Sequence, residues 1–165
     1  MRGGDHSLWL AAPAIAAAFF ASAPCQAATV QISGLQDLAF TNLNPLIDAT
    51  HTESVCVFSD TLLHGYGVTA RGSGSSSAFT LSAGGPAQPL PYTVQWSDAA
   101  SSTSGTALTA GAPLTGQNSL AISRTCSLGV TASATLIVIL RTADLQAAVS
   151  GVSYSGTLSL TIAPE

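Results

Sequence analysis

The stretch GVSYSGTLSLTIAPE, residues 151–165, decides how the fold is read. Successive side chains of an extended chain point to opposite faces. Tyr154, Leu158, Leu160 and Ile162 therefore share one face, with Gly156 completing the row, while Ser153, Ser155, Thr157, Ser159 and Thr161 share the other. Such strict alternation predicts a β-strand that needs apolar cover on one side and hydrogen-bonding neighbours along its edges. Only Ala163, Pro164 and Glu165 follow it, so no later segment of the sequence is expected to supply that cover.

The same period of two recurs upstream. LPYTVQWSD (90–98) puts Leu90, Tyr92, Val94 and Trp96 on one face, with Pro91 opposite and near the start, where a missing amide is tolerated. VTASATLIVILR (130–141) reads as the most hydrophobic strand, with Ala132, Ala134, Leu136, Val138 and Leu140 on one side and Ile137 and Ile139 on the other. SVCVFS (54–59) sets Val55 and Val57 opposite Cys56 and Phe58, which predicts a central strand buried on both faces. YGVTA groups Tyr66, Val68 and Ala70, and AFTLS turns Phe79 and Leu81 inward; between them RGSGSSS (71–77) reads as a hairpin connection. TVQIS places Val30 and Ile32 together, and after a break at Gly34 the pattern resumes with Leu38 and Phe40.

Residues 99–119 are rich in Ser, Thr, Gly and Ala and weakly patterned; they predict a long connection with at most a short strand near Ala107 and Leu108. SLAISRTCS (119–127) predicts a further strand, and TADLQAA (142–148) a helical turn or two capped by Thr142. Seven or eight short strands with turn signals between them predict an all-β, immunoglobulin-like β-sandwich of about seven strands.

The amino-terminal region reads as a secretory leader. One Arg precedes the uncharged run LWLAAPAIAAAFFASA (8–23), and small residues follow at Ala27 and Ala28, so residues 1–27 are expected to be removed and 28–165 to form one domain of about 138 residues. The chain carries a net charge of −4 at pH 7 and no lysine, so it has no basic patch for nucleic acid or an anionic membrane surface. No membrane insertion is expected once the leader is gone. With Cys25 lost alongside it, Cys56 and Cys126 form an even pair in an oxidising compartment, which predicts one disulfide; two buried free thiols or a metal pair are the alternatives.

Catalytic signals are sparse. GSGSSS and SYSG lack the G-x-S-x-G spacing of a nucleophile elbow. His51 and Glu53 in HTE could share one face of a strand, yet without a positioned partner His51 reads as a solvated loop histidine, and His51 and His64 do not make a zinc site. No enzymatic role, metal or cofactor is expected. Trp96 and Asp98 are a candidate ligand surface, since an aromatic face can stack on a sugar and a carboxylate can accept its hydroxyl hydrogen bonds; the alternation instead puts Tyr92 and Trp96 in the core.

With leader, LPYTVQWSD and SYSGTLSLTI (153–162) in view, the chain resembles subunits of the chaperone–usher pilins, nearest the archaic, Csu-type group that includes the spore coat protein U-like domains. It departs from them in having no cysteine between Ala28 and Val55, where family members commonly place one half of a bridge. The resemblance implies a sandwich lacking its last strand, with a strand-exchange groove along Tyr154, Leu158, Leu160 and Ile162. That groove would be filled first by a periplasmic chaperone and then, at the usher, by the N-terminal strand of a neighbouring pilin subunit. Val30 and Ile32 are the corresponding donor segment expected here. The implied role is a structural subunit of a fimbria or coat at the cell surface, exported through the periplasm; a self-contained secreted adhesive or carbohydrate-binding module is the alternative.

Overall fold

A computed structural model describes residues 27–165 apart from Gly84 and Pro86; the leader expected over 1–27 lies, except for Ala27, outside the described residues. Eleven strands are present in this span: β1 (Val30–Ser33), β2 (Ala49–Ser59), β3 (Gly65–Gly72), β4 (Thr80–Ala83), β5 (Leu90–Pro91), β6 (Thr93–Ser97), β7 (Thr106–Ala107), β8 (Pro113–Asn118), β9 (Ala134–Leu140), β10 (Tyr154–Ser155) and β11 (Leu158–Pro164). One short helix, α1 (Thr142–Ala147), precedes β10. All pairings are antiparallel, in a five-stranded sheet β1-β2-β9-β6-β7 and two three-stranded sheets, β11-β3-β8 and β10-β4-β5.

The alternating residues supply one core between these sheets. Val55 and Val57 of β2, Tyr66, Val68 and Ala70 of β3, Val94 and Trp96 of β6, and Leu136, Val138 and Leu140 of β9 are all buried within it. β9 is buried along its whole length because it lies between β2 and β6. At the core's centre the indole Nε1 of Trp96 donates to the Tyr66 hydroxyl at 3.1 Å, and the two rings meet edge to face. Burial pushes the Tyr66 hydroxyl up to about 12, against a lowering from the Trp96 hydrogen bond and a further small rise from Asp98.

This shift carries a pH consequence. Above about pH 10 an unfolded tyrosine loses its proton while folded Tyr66 keeps it, so the folded state binds more protons and stability falls as pH rises. Denaturant titrations between pH 9 and 12 are expected to show a loss on the order of 3 kcal/mol, levelling off near the folded value. Tyr66→Phe is expected to remove most of that slope, leaving the smaller contribution of Tyr92, which burial also raises. At neutral pH the same variant costs about 1–3 kcal/mol, because the buried Trp96 N–H loses its acceptor. An unchanged alkaline slope in Tyr66→Phe would refute this assignment.

Several local expectations need correction. The last strand is divided: Gly156 and Thr157 separate β10, which pairs with β4, from β11, which pairs with β3. LPYTVQWSD is likewise divided at Tyr92 between β5 and β6, which belong to different sheets. RGSGSSS is not a hairpin but a crossover between sheets, since β3 and β4 are not paired. Gly72 permits the close passage there, because a Cβ on it would lie 2.1 Å from the Ala78 carbonyl oxygen. Residues 113–118 form β8, paired with β3, whereas 119–127 form no strand. Leu120 and Ile122 mimic strand alternation but are 71% and 67% exposed. Helix α1 is capped from outside: Asp48 accepts from the Thr142 backbone N–H at 2.7 Å and from its hydroxyl at 2.9 Å, and pairs with Arg141 at 2.9 Å. Those bonds, the Thr142 N–H first, hold the Asp48 carboxyl below its ordinary range.

Candidate strand-acceptor cleft

The two outer strands β1 and β11 bring the five-stranded sheet and the β11-β3-β8 sheet together on one side of the molecule. β11 pairs with β3 over its whole length, Leu158 opposite Gly72 through Pro164 opposite Tyr66. Among the described residues no strand pairs with its other edge. β1 pairs only with the second half of β2, Cys56–Ser59, and Gly34, with φ of +87°, then turns the chain out of the sheet. The following segment runs beside the first half of β2, tied there by the Gln36 N–H, which donates to Glu53 Oε1 at 2.6 Å.

Between that segment and β10–β11 lies an open cleft of about 860 Å³. One wall is the 35–43 segment, with Leu38 and Phe40 turned towards the core. The opposite wall is residues 152–160, including Leu158 and Leu160. Leu136, Val138 and Leu140 of β9, with Leu81, Leu90 and Tyr92, complete the apolar lining. The half-buried side chains Leu158 and Leu160 of β11 thus face a space that the described residues leave open.

Tyr154, Leu158 and Leu160 line this cleft as a set, and the Tyr154 hydroxyl accepts from the Val149 N–H at 2.9 Å. Ile162 lies beyond it, opposite Val68, packed on the core. Val30 and Ile32, expected as a donor segment, are instead committed within their own chain: β1 pairs Val30 with Ser59 and Ile32 with Val57, and both side chains pack on the core. The register explains this, since Val57 on β2 is fully buried and needs a neighbour on that edge.

Trp96 is 0% exposed and bonded to Tyr66, so it offers no face to a ligand and the Trp96–Asp98 surface is not formed; Asp98 stands alone in an exposed turn. Cys56 and Cys126 are joined as a disulfide, with Cα atoms 5.7 Å apart. Among the described residues no group of three or more His, Cys, Asp or Glu side chains is placed to hold a metal. None of their helices is long and apolar enough to cross a membrane.

Sequence reasoning missed Glu53 as a residue of the cleft. His51, expected in a loop, lies with Glu53 inside β2. Opposed residues of an antiparallel pair share a face, and Glu53 pairs with Leu136 while His51 pairs with Val138, so both face the sandwich interior. His51 meets Phe40 edge-on, with ring centroids 5.9 Å apart. Glu53 lines the cleft. The alternation Glu53, Val55, Val57 was the available signal, hidden by the polarity of its first member.

No family model matches the chain, and no curated protein matches it. Among solved structures, a chain from one described as "Chaperone-tip adhesin complex is vital for synergistic activation of CFA/I fimbriae biogenesis" is similar at a TM-score of 0.51 and 16% identity, over 84% of this chain. The match takes in 41% of that chain, so this protein spans less than half its length. The likeness is one of fold: an antiparallel β-sandwich of the kind found in a chaperone–adhesin assembly.

Proposed function

We propose that this protein is a structural subunit of a bacterial surface fimbria or coat, completed by a β-strand that another polypeptide inserts beside β11. The observation that carries this reading is the edge of β11, unpaired among the described residues, over an apolar cleft of about 860 Å³. A strand placed there would satisfy the open backbone groups of β11 and cover Leu158 and Leu160. Burying several hundred Å² of apolar surface contributes on the order of 10 kcal/mol before ordering costs. A periplasmic chaperone would fill the cleft first, and a neighbouring subunit would replace it at the usher.

The sequence resemblance to archaic, Csu-type and spore coat protein U-like subunits and the fold likeness to a chaperone–adhesin assembly both support this class of role. Export through a leader at residues 1–27, with 28–165 as the working domain, belongs to the same reading. Since Val30 and Ile32 are held in β1, the present chain serves the joint as an acceptor.

The test is refolding of the full chain with and without a synthetic peptide of alternating Val and Thr. Alone it is expected to aggregate or self-associate, and with the peptide to give a stoichiometric, monodisperse complex. A monomer that refolds at full yield and ignores the peptide would refute the proposal.

A further inference from the structure

We infer that the strand this cleft receives carries a lysine or arginine at an inward-facing position beside Glu53, so that the partner is selected by charge as well as by apolar fit. The inference rests on the strand-acceptor reading and concerns the chemistry of the partner.

Glu53 is an anomaly of the inner face. Its cross-strand neighbour Leu136 and the next inward residue of β2, Val55, are both buried core residues. One carboxylate oxygen, Oε1, accepts the Gln36 N–H at 2.6 Å; the other, Oε2, is buried and has no hydrogen-bond partner among the described residues. A buried charge is costly unless it is paired. An incoming apolar strand would strip away what water the carboxylate still meets and deepen that cost.

Among the described residues none supplies the counter-charge. The sequence has no lysine, and no arginine among the described residues lines the cleft, whereas Asp37 does. Arg141 is engaged with Asp48, and Arg71 lies by Ser77. A neutral donor from the partner would satisfy Oε2 but leave a net charge buried, since the Gln36 amide is neutral too. A Lys or Arg does both, and its aliphatic stem packs against apolar walls while its head reaches the carboxylate.

Labelled peptides of one alternating pattern, each with a single inward position set to Lys, Gln, Glu or Val, are titrated against the full chain by fluorescence anisotropy. At one position Lys is expected to bind about tenfold tighter than Gln at low salt, with Glu weakest, and the Lys advantage to shrink as salt is added. In Glu53→Gln, which keeps an acceptor for the Gln36 N–H, the Lys preference is expected to vanish while the Val peptide still binds. The scan and salt series on the unmodified chain stand without that variant. Equal binding of Lys and Gln peptides at every position would overturn the inference while leaving the strand-acceptor reading intact, as would a Lys preference that survives in Glu53→Gln. Failure of every peptide to bind would overturn both.

Discussion

An alternating strand of about eight residues, fused after Glu165 through a short flexible linker, is expected to turn the chain into a stable monomer whose Tm is raised by about 10 °C or more. The geometry favours this end. β11 runs from Leu158 to Pro164, and the Glu165 N–H still bonds to the Gly65 carbonyl at 3.2 Å, so the chain leaves the sheet at its edge. A linker that carries the chain past the 162–164 end, on the side where β1 meets β11, would let the added strand run back antiparallel past Leu160 and Leu158 and into the cleft. Tethering replaces a bimolecular encounter by an intramolecular closure at millimolar effective concentration. Of the gross gain, on the order of 10 kcal/mol, ordering the new residues takes the larger part, leaving about 3–5 kcal/mol net. The measurement is a thermal melt with sedimentation analysis, beside a control fusion whose inward residues are Ser and Asp. Equal melting of both fusions would mean that the cleft is no strand site.

What the sequence revealed of the fold was its apolar alternation. Leu90 to Trp96, Tyr66 to Ala70 and Ala134 to Leu140 each announce a buried face, because period-two burial leaves a composition that survives without knowledge of the partners. β8 was invisible because it is held through backbone pairing with β3 and buries little; of its six residues only Leu114 packs against the core. Residues 119–127 show the opposite failure: alternation at Leu120 and Ile122 without burial. The cleft was legible on one wall only. Tyr154, Leu158 and Leu160 could be assigned from their spacing, whereas Glu53 could not, since a carboxylate on an inner face breaks the rule by which inner faces are found. The commitment of Val30 and Ile32 to β1 depends on pairing with residues more than twenty positions away, which no local pattern encodes.

Removal of the Cys56–Cys126 bridge is the second large effect. Cys56 lies on the face of β2 opposite Val55 and Val57, and Cys126 lies in the irregular 119–133 connection; together with Ala121, Phe58 and Val130 they form a small cluster separate from the main core. The bridge spans 70 residues, so cutting it restores to the unfolded chain loop entropy worth about 4 kcal/mol. Polar anchors remain. Ser119 Oγ donates to the Val57 carbonyl, the Ser119 N–H donates to the His64 carbonyl at 3.0 Å, and Ser133 Oγ donates to Val57 O at 2.8 Å. These anchors sit at the two ends of the connection, leaving its middle held chiefly by the disulfide. Cys56→Ala/Cys126→Ala, made in the strand-fused protein so that unfolding is measured on a monomer, is expected to lose about 3–4 kcal/mol in guanidinium denaturation. It is also expected to give fast amide exchange across 120–130 while β9 stays protected, since β9 is clamped between β2 and β6 independently of the loop. A loss below about 1 kcal/mol would place the loop's stability in its serine anchors instead. If β9 lost protection together with the loop, the bridge would be holding the sheet itself, and the separation of the two clusters would be structural in appearance only.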